Sequence, residues 1–292
     1  MTYPHTIICV ERKTGDMRKE IKLIATDLDG TFLTTDKRIT DYSKEVLSKA
    51  IAQGCEVVIA SGRPISAIPK ELLEFPGIRY VITANGASIE DLKEQKVIYE
   101  NLLSVETAKN ILEVFAQHDV IREVFIEGIP YMSGTDLERS ENYLTDDGMR
   151  KYVQSTRVAV ENVETTLFAK NCPVDKVHGF FRDMEEKKRV GKLLQEIPSV
   201  EVTGAFDYNY EVSAEGTSKG NALIILSELL GIDMAEMMAC GDGLNDYEML
   251  HTVGFGVAME NGNEDLKTIA DYVAESNDSD GVAKAIERFV LT

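Results

Sequence analysis

Two aspartates stand directly after an apolar run near the start of the chain. The run at 21–26 ends at Asp27 and Asp29, which are one residue apart, and Gly30 follows at once. Like charges at the end of a buried segment repel each other unless a cation or a proton neutralises them. Carboxylate oxygens without a nearby histidine or cysteine cluster suit Mg²⁺, which often shares its coordination with a phosphate. The pair predicts a metal site, although this short stretch alone is also compatible with an ordinary turn or a fragment of a calcium loop.

Polar residues recur at the same position after three other predicted strands. Short apolar runs alternate with helical patterns in the first third of the chain, which predicts a parallel sheet with right-handed crossovers. The carboxyl ends of parallel strands lie along one edge, where ligands bind. We therefore expect these three turns to converge on one crevice with the turn that carries Asp27 and Asp29. The three further turns carry Ser61, Gly62 and Arg63 after 56–60, Asn85 and Gly86 after 79–83, and Asp242, Asn245 and Asp246 after 237–240.

Lys219 provides an independent indication of an anion near this edge. It lies in the first turn of a predicted helix at 218–230, capped by Thr217 or Ser218. A cation there opposes the helix dipole, so Lys219 is either a tolerated surface lysine or faces an anion that the helix N-terminus also attracts.

The roles of several neighbouring residues stay open at this point. Ser61 and the adjacent amides form either a second anion-binding turn or a plain strand-to-helix loop. Arg63 either contacts substrate or pairs with an acidic neighbour. Asn85 is either a substrate contact or only a turn residue. Asp246 either caps a helix or orients Lys219 or the metal, because acids are favourable at any helix start.

Composition limits the class of partner and the compartment. The 292 residues carry a formal net charge of -19, which argues against a nucleic-acid backbone or an anionic membrane as partner. No apolar run has the length of a membrane span, and the first residues lack the features of a signal peptide. The four cysteines are scattered, which fits a reducing compartment and a cytoplasmic protein. The sequence does not predict the oligomeric state.

The middle of the chain differs in pattern from its two ends. A hairpin signature at 124–133, helical patterns near 104–117 and 182–196, and a strand-like segment at 165–170 predict an α+β domain. We expect it to be inserted into an α/β core with a Rossmann-like parallel sheet. Tyr131 in the hairpin is either a substrate contact or part of the core of this domain. The predicted organisation is an N-terminal extension at 1–16, a core at 17–88 and 206–292, and an inserted cap at 89–205.

The motifs together resemble the haloacid dehalogenase superfamily of phosphohydrolases, in particular its Cof-like branch with a large α/β cap. The matching segments lie in family order and cover both halves of the core. One departure is Glu260, where a smaller residue is frequent. The segments are DLDGTFL (27–33), SGRP (61–64), NGA (85–87), GTSKG (216–220), GDGLND (241–246), GVAMENG (256–262) and SNDSDGVAKAI (276–286).

The resemblance implies a role for each matching residue. Asp27 would be the nucleophile that forms an aspartyl-phosphate, and Asp29 would protonate the leaving oxygen and then activate water. Mg²⁺ would be held by Asp27, the backbone carbonyl of Asp29 and Asp242, with Asp246 in support. Arg63, Asn85 and Gly86 are candidate substrate contacts. The residues implied to hold the phosphoryl oxygens are Leu28 through its amide, Ser61, Gly62, Lys219 and Asn245.

The predicted function is a Mg²⁺-dependent phosphoric monoester hydrolase acting on small phosphorylated metabolites, with sugar phosphates as the favoured class. One alternative is a phosphomutase on the same scaffold, which would return the phosphoryl group to substrate. Another is a non-catalytic phospho-aspartate binding or signalling module. Such modules are much shorter and lack the acid/base residue two positions after the nucleophile, so Asp29 and the inserted domain favour an enzyme.

Overall fold

The computed structural model describes residues 20–144, 146–204 and 207–291. The extension predicted at 1–16 lies outside these residues. Within the described ranges, each of two β-sheets has its own hydrophobic core and its own set of helices. None of the helices in these ranges is both long enough and apolar enough to cross a membrane.

The core sheet is eight-stranded, in the order β14-β13-β12-β1-β2-β3-β4-β5. The six strands from β14 to β3 are parallel, and β4 and β5 are antiparallel. This confirms the predicted parallel α/β core. The strands are β1 (Leu23–Thr26), β2 (Glu56–Ala60), β3 (Ile78–Thr83), β4 (Ser88–Asp91), β5 (Lys96–Glu100), β12 (Met237–Gly241), β13 (Phe255–Met259) and β14 (Tyr272–Ala274).

Helices cover both faces of the core sheet because its central strands are apolar on both sides. In β1, Ile24 packs on the side of α1 and α11, whereas Leu23 and Ala25 pack on the side of α8, α9 and α10. Thr40 caps α1 by accepting from the Ser43 amide, and Gly54 follows the helix with φ +94°. The helices are α1 (Asp41–Ala52), α2 (Lys70–Leu73), α8 (Lys219–Leu230), α9 (Tyr247–Thr252), α10 (Glu264–Ile269) and α11 (Gly281–Phe289).

The cap contains a six-stranded sheet in the order β10-β11-β9-β6-β7-β8, in which all pairs except β7 and β8 are antiparallel. Helices α3, α6 and α7 pack an apolar core on one face of this sheet. The strands are β6 (Val120–Ile126), β7 (Ile129–Ser133), β8 (Val158–Val160), β9 (Lys176–Phe181), β10 (Val200–Thr203) and β11 (Asn209–Ala214). The helices are α3 (Val105–Ala116), α4 (Gly134–Arg139), α5 (Asp147–Thr156), α6 (Val163–Lys170) and α7 (Met184–Gln195).

One predicted strand of the cap is a helix. The hairpin at 124–133 is confirmed as β6 and β7, but 165–170 belongs to α6. Asn162 caps this helix by accepting from the Thr165 amide. Val163 and Leu167 are four residues apart and both face the core, so helical periodicity overrides the β preference of the threonines.

The two sheets also correct the predicted domain boundaries. The predicted boundary at 88/89 divides the segment 88–100 between core and cap. In the structure, β4 and β5 extend the core sheet, because β4 pairs with the edge of β3. The predicted boundary at 205/206 places the segment 209–214 in the core. In the structure, this segment is β11, which pairs with β9 and β10 in the cap sheet. Strand pairing between distant segments decides both boundaries, and local sequence does not encode it.

Candidate active site

The turns after β1, β2, β3 and β12 meet at the carboxyl edge of the core sheet, as predicted. The Asp27 amide donates to the Cys240 carbonyl at 3.0 Å, and the Asn85 amide donates to the Ser61 carbonyl at 3.0 Å. Nδ2 of Asn245 donates to Oδ1 of Asn85, also at 3.0 Å. These bonds connect all four turns into one site.

Lys219 lies at the centre of the site and is fully buried, so its interpretation as a surface lysine is wrong. Its Nζ donates to Oδ1 of Asp27 and to Oδ1 of Asp246, both at 2.6 Å. Burial lowers the pKa of Lys219, but the charges of Asp246 and Asp27 outweigh it, and the net pKa is raised. Lys219 is therefore a permanent cation at this site.

Asp246 orients this centre. Its Oδ2 accepts from the amides of Asp242 and Gly243, each at 3.0 Å, while its Oδ1 binds Lys219. The carboxylate of Asp246 therefore has both a capping and an orienting role. It accepts from backbone amides of the turn and also binds Nζ of Lys219.

Three carboxylates form a cluster beside Lys219. One oxygen from each of Asp27, Asp242 and Asp246 lies within 4.8 Å of the others. Burial raises the pKa of Asp27 to about 7, against the lowering effect of Lys219 and with added repulsion from Asp246 and Asp242. Burial likewise raises the pKa of Asp242 to about 6, although Thr31 donates a hydrogen bond to it. The cluster has more negative charge than its lysine neutralises, and its all-oxygen donors fit Mg²⁺.

The side chain of Asp29 lies apart from this cluster. Arg63 binds it through Nε to Oδ2 at 2.6 Å and through Nη2 to Oδ1 at 2.7 Å, and Nζ of Lys37 donates to Oδ1 at 2.6 Å. Arg63 therefore pairs with an acidic neighbour, one of its two anticipated roles. Burial raises the pKa of Asp29, but Arg63 and Lys37 outweigh it, so the net pKa is lowered and the carboxylate is ionised.

Leu28, Ser61 and Gly62 lie in the turns that follow β1 and β2 at this edge of the sheet. The Leu28 side chain is buried in the core, which leaves only its peptide group near the site. Ser61 is buried, and its Oγ accepts from the Arg63 amide at 3.2 Å. A Cβ at Gly62 would lie 2.8 Å from Oδ1 of Asn85, so a side chain there would displace Asn85.

Asn85 and Gly86 form a turn that also contacts the cap and the start of α8. Asn85 has φ +58°, and its Nδ2 donates to Oε2 of Glu211 in the cap at 3.1 Å. A Cβ at Gly86 would lie 2.1 Å from the Ser218 carbonyl oxygen, so the absence of a side chain lets this turn pack on the start of α8. Asn85 therefore links the phosphate-site candidates to the cap.

The structure adds residues that the sequence reasoning missed. Oγ1 of Thr31 donates to Oδ1 of Asp242 at 2.7 Å, and Nδ2 of Asn261 donates to the Gly30 carbonyl at 2.8 Å. Both lie inside quoted motifs, and a hydroxyl directly after the aspartate turn was a usable signal. The cap residues Lys176 and Glu211 lie in ordinary strand patterns and had no such signal.

Tyr131 does not face the core domain. It is buried in the cluster beneath α3, α6 and α7, and Nζ of Lys170 lies 5.2 Å from its ring centroid. Of its two anticipated roles, the structure supports the one in the cap core.

The sequence profile of haloacid dehalogenase-like hydrolases matches residues 24–286, and the chain belongs to this family. Phosphatase YwpJ of Bacillus subtilis is 32% identical in an alignment of 288 positions that covers 92% of this chain and 100% of that protein. The 5-amino-6-(5-phospho-D-ribitylamino)uracil phosphatase YcsE of B. subtilis is 31% identical, covering 93% of this chain and 97% of that protein. A solved sugar phosphatase of haloacid dehalogenase subclass IIB superposes with a TM-score of 0.77 at 28% identity, covering 93% of this chain and 100% of that one. The chain is a phosphatase of this family.

Proposed function

We propose that this protein is a Mg²⁺-dependent phosphatase that hydrolyses small phosphorylated metabolites, chiefly sugar phosphates, through an aspartyl-phosphate on Asp27. The observation that carries the proposal is the environment of Asp27. Its buried carboxylate is bound to Lys219 and stands beside Asp242 in an excess of negative charge. The sugar phosphatase among the structural relatives supports the substrate class.

In the first step, a carboxylate oxygen of Asp27 attacks the phosphorus, and the bond to the substrate oxygen breaks. Asp29 donates a proton to the departing oxygen, and in the second step accepts one from the water that hydrolyses the intermediate. Mg²⁺, held by Asp27, Asp242 and the Asp29 carbonyl, would neutralise charge on the phosphoryl group. Lys219 adds a fixed positive charge, and the remaining phosphoryl contacts are Ser61, Gly62, Asn245 and the Leu28 amide.

The contacts of Asp29 bear on both steps. Arg63 and Lys37 favour its ionised form, which is the form that accepts a proton from water. The first step needs the protonated form, so these hydrogen bonds have to loosen before the leaving group is protonated. Arg63 thus controls the protonation of Asp29 rather than binding substrate.

The relatives are named phosphatases, which favours hydrolysis over the phosphomutase and the non-catalytic module considered from the sequence. A cytoplasmic location and the lack of a nucleic-acid partner stay predictions from composition.

The test measures release of inorganic phosphate from p-nitrophenyl phosphate and from a panel of sugar phosphates, with Mg²⁺ and with EDTA. We expect release with Mg²⁺ and its loss with EDTA. Rapid-quench trapping with labelled substrate should place the label on the wild-type protein and not on Asp27→Asn. Absence of release from every substrate, or label on Asp27→Asn, would contradict the proposal.

A further inference from the structure

The face of the cap sheet opposite helices α3, α6 and α7 carries charged residues. Lys176 and His178 on β9 and Glu211 on β11 alternate with Val177 and Val212, which pack into the apolar core on the helix side. Side chains of a strand alternate between faces, so the three polar residues share the other face. All three are nevertheless largely buried.

Lys176 and Glu211 form an ion pair at the point where this face meets the core domain. Nζ of Lys176 lies 3.4 Å from the Gly62 carbonyl oxygen and 4.8 Å from the centroid of the Phe125 ring. Oε2 of Glu211 accepts from Asn85, which in turn accepts from Asn245. The pair is therefore adjacent to the residues proposed to hold the phosphoryl group.

The pair retains hydrogen-bonding capacity. An ammonium has three N–H groups, of which Glu211 takes one and the Gly62 carbonyl is only a distant acceptor for another. Oε1 of Glu211 accepts from no donor within the described part of the chain. Burial raises the pKa of Glu211, but the charge of Lys176 outweighs it and the net pKa is lowered, so the carboxylate is an acceptor. Together the two side chains offer one donor and one acceptor side by side.

The cations near the pair already have carboxylate partners, and Asp29 is bound by Lys37 as well as by Arg63. Arg157 is bound to Glu123 and Arg63 to Asp29, as Lys176 is to Glu211. A second anionic group on a substrate would displace one of these carboxylates or face the charge of Glu211, and either costs free energy. A hydroxyl group meets no such penalty, because it both donates and accepts.

We propose that Lys176 and Glu211 determine specificity by binding neighbouring hydroxyl groups on the alcohol part of the substrate. The enzyme then prefers monophosphates of neutral sugars and polyols to substrates with a second anionic group. This inference rests on the proposed phosphatase function and adds to it which cap residues select the substrate.

The test compares kcat/KM for glucose 6-phosphate, 3-phosphoglycerate and p-nitrophenyl phosphate in the wild type, Lys176→Met and Glu211→Gln. The wild type should hydrolyse the sugar phosphate faster than the phosphorylated carboxylate. In both variants, the ratio of kcat/KM for glucose 6-phosphate to that for p-nitrophenyl phosphate should fall roughly 10- to 100-fold, as for lost hydrogen bonds to charged groups. Lys176→Arg should restore part of this ratio.

Lys170→Met is the matched control, because Lys170 is a cap lysine that binds Glu127 on the helix side of the sheet. Its ratio should equal that of the wild type. The double variant Lys176→Met/Glu211→Leu leaves neither member of the pair as a buried unpaired charge. If Lys176→Met does not fold, this variant tests the expected fall in the kcat/KM ratio.

Three results would overturn the inference. Equal falls for the sugar phosphate and p-nitrophenyl phosphate in the folded variants would assign the pair a structural role. A wild-type preference for 3-phosphoglycerate would contradict the charge argument. No phosphate release from any of the three substrates would instead refute the proposed function, and this inference with it.

Discussion

Two clusters of buried charge in the described part of the chain differ in their balance of positive and negative groups. In the core, the carboxylates of Asp27, Asp242 and Asp246 lie beside Lys219, and the pKa values of Asp27 and Asp242 are raised. In the cap, Arg157 binds both oxygens of Glu123 at 2.6 and 2.8 Å, and Nδ1 of His178 lies 2.9 Å from Oε1. Burial raises the pKa of Glu123, but Arg157 and His178 outweigh it and lower the pKa to about 2.

This difference separates a cluster that neutralises its own charge from one that is a candidate for function. The cap cluster is neutralised by its own side chains, so it holds β6, β9 and the residue after α5 together without any ligand. The core cluster keeps surplus negative charge in a buried place, which costs stability until a cation binds. Buried carboxylates with raised pKa values are candidates for function for this reason.

The largest expected effect is the loss of turnover in Asp27→Asn. The neutral amide cannot attack phosphorus, so kcat should fall by several orders of magnitude with every substrate. Asp278→Asn is a control, because Asp278 binds the exposed Thr35 outside the site. Near-normal turnover in Asp27→Asn, measured by phosphate release, would show that the core cluster does not supply the nucleophile.

Asp29→Asn should have a smaller effect that depends on the leaving group. Loss of proton transfer costs about 10²–10⁴-fold in kcat with sugar phosphates, and less with p-nitrophenyl phosphate, whose leaving group needs little protonation. Breakdown of the intermediate still needs a base, so phosphoenzyme should accumulate in rapid-quench experiments. The same loss with both substrates would argue against Asp29 as the acid.

Substitutions in the cap cluster should lower the stability of the protein. Arg157→Met leaves the carboxylate of Glu123 buried without its main partner, so the free energy of unfolding should fall by about 3–5 kcal/mol. Denaturant titration measures this change, and Arg150→Met is the control because its pair with Asp147 is exposed and contributes about 0–1 kcal/mol. A small change in Arg157→Met would mean that the cap cluster is not structural.

The smallest expected effect is on the stability of Asp242→Asn, which should exceed that of the wild type without Mg²⁺ and fall below it with Mg²⁺. The raised pKa of about 6 means that ionising Asp242 destabilises the metal-free fold, and stability is lost as pH rises from about 4 through 6. At pH 8 in EDTA, Asp242→Asn should therefore raise the free energy of unfolding by about 1–2 kcal/mol. At pH 4 the gain should vanish, and saturating Mg²⁺ should make the wild type the more stable protein.

Glu123 should show the opposite pH dependence. Its pKa is lowered to about 2, so its contribution is complete above the unfolded value of 4.5 and is lost as pH falls towards 2. Unfolding curves from pH 2 to 8 in EDTA distinguish the two clusters. A wild type whose stability rises steadily up to pH 8 without Mg²⁺ would contradict the surplus charge assigned to the core.

Much of the core and of the site was predictable from the sequence. Asp27, Ser61, Asn85 and Asp242 each directly follow a predicted strand of the parallel sheet, and such a sheet brings the carboxyl ends of its strands together. The unfavourable position of Lys219 at a helix start left two roles open, a tolerated surface lysine or a lysine that faces an anion. These inferences need only local periodicity and the geometry of the sheet.

Only the tertiary structure decided the boundaries of the cap and the residues that face the site from it. Asn85 and Glu211 are 126 positions apart, and Lys176 and Glu211 are 35 apart, so no local spacing connects them. Whether Tyr131 or Lys176 faces the core domain depends on which face of the cap sheet the helices cover. The strand patterns alone do not specify that face. The sequence by itself determined the catalytic edge, because chain direction places strand ends there. The cap face was decided by the pairing of distant strands, since side-chain packing across the whole sheet sets which face is buried.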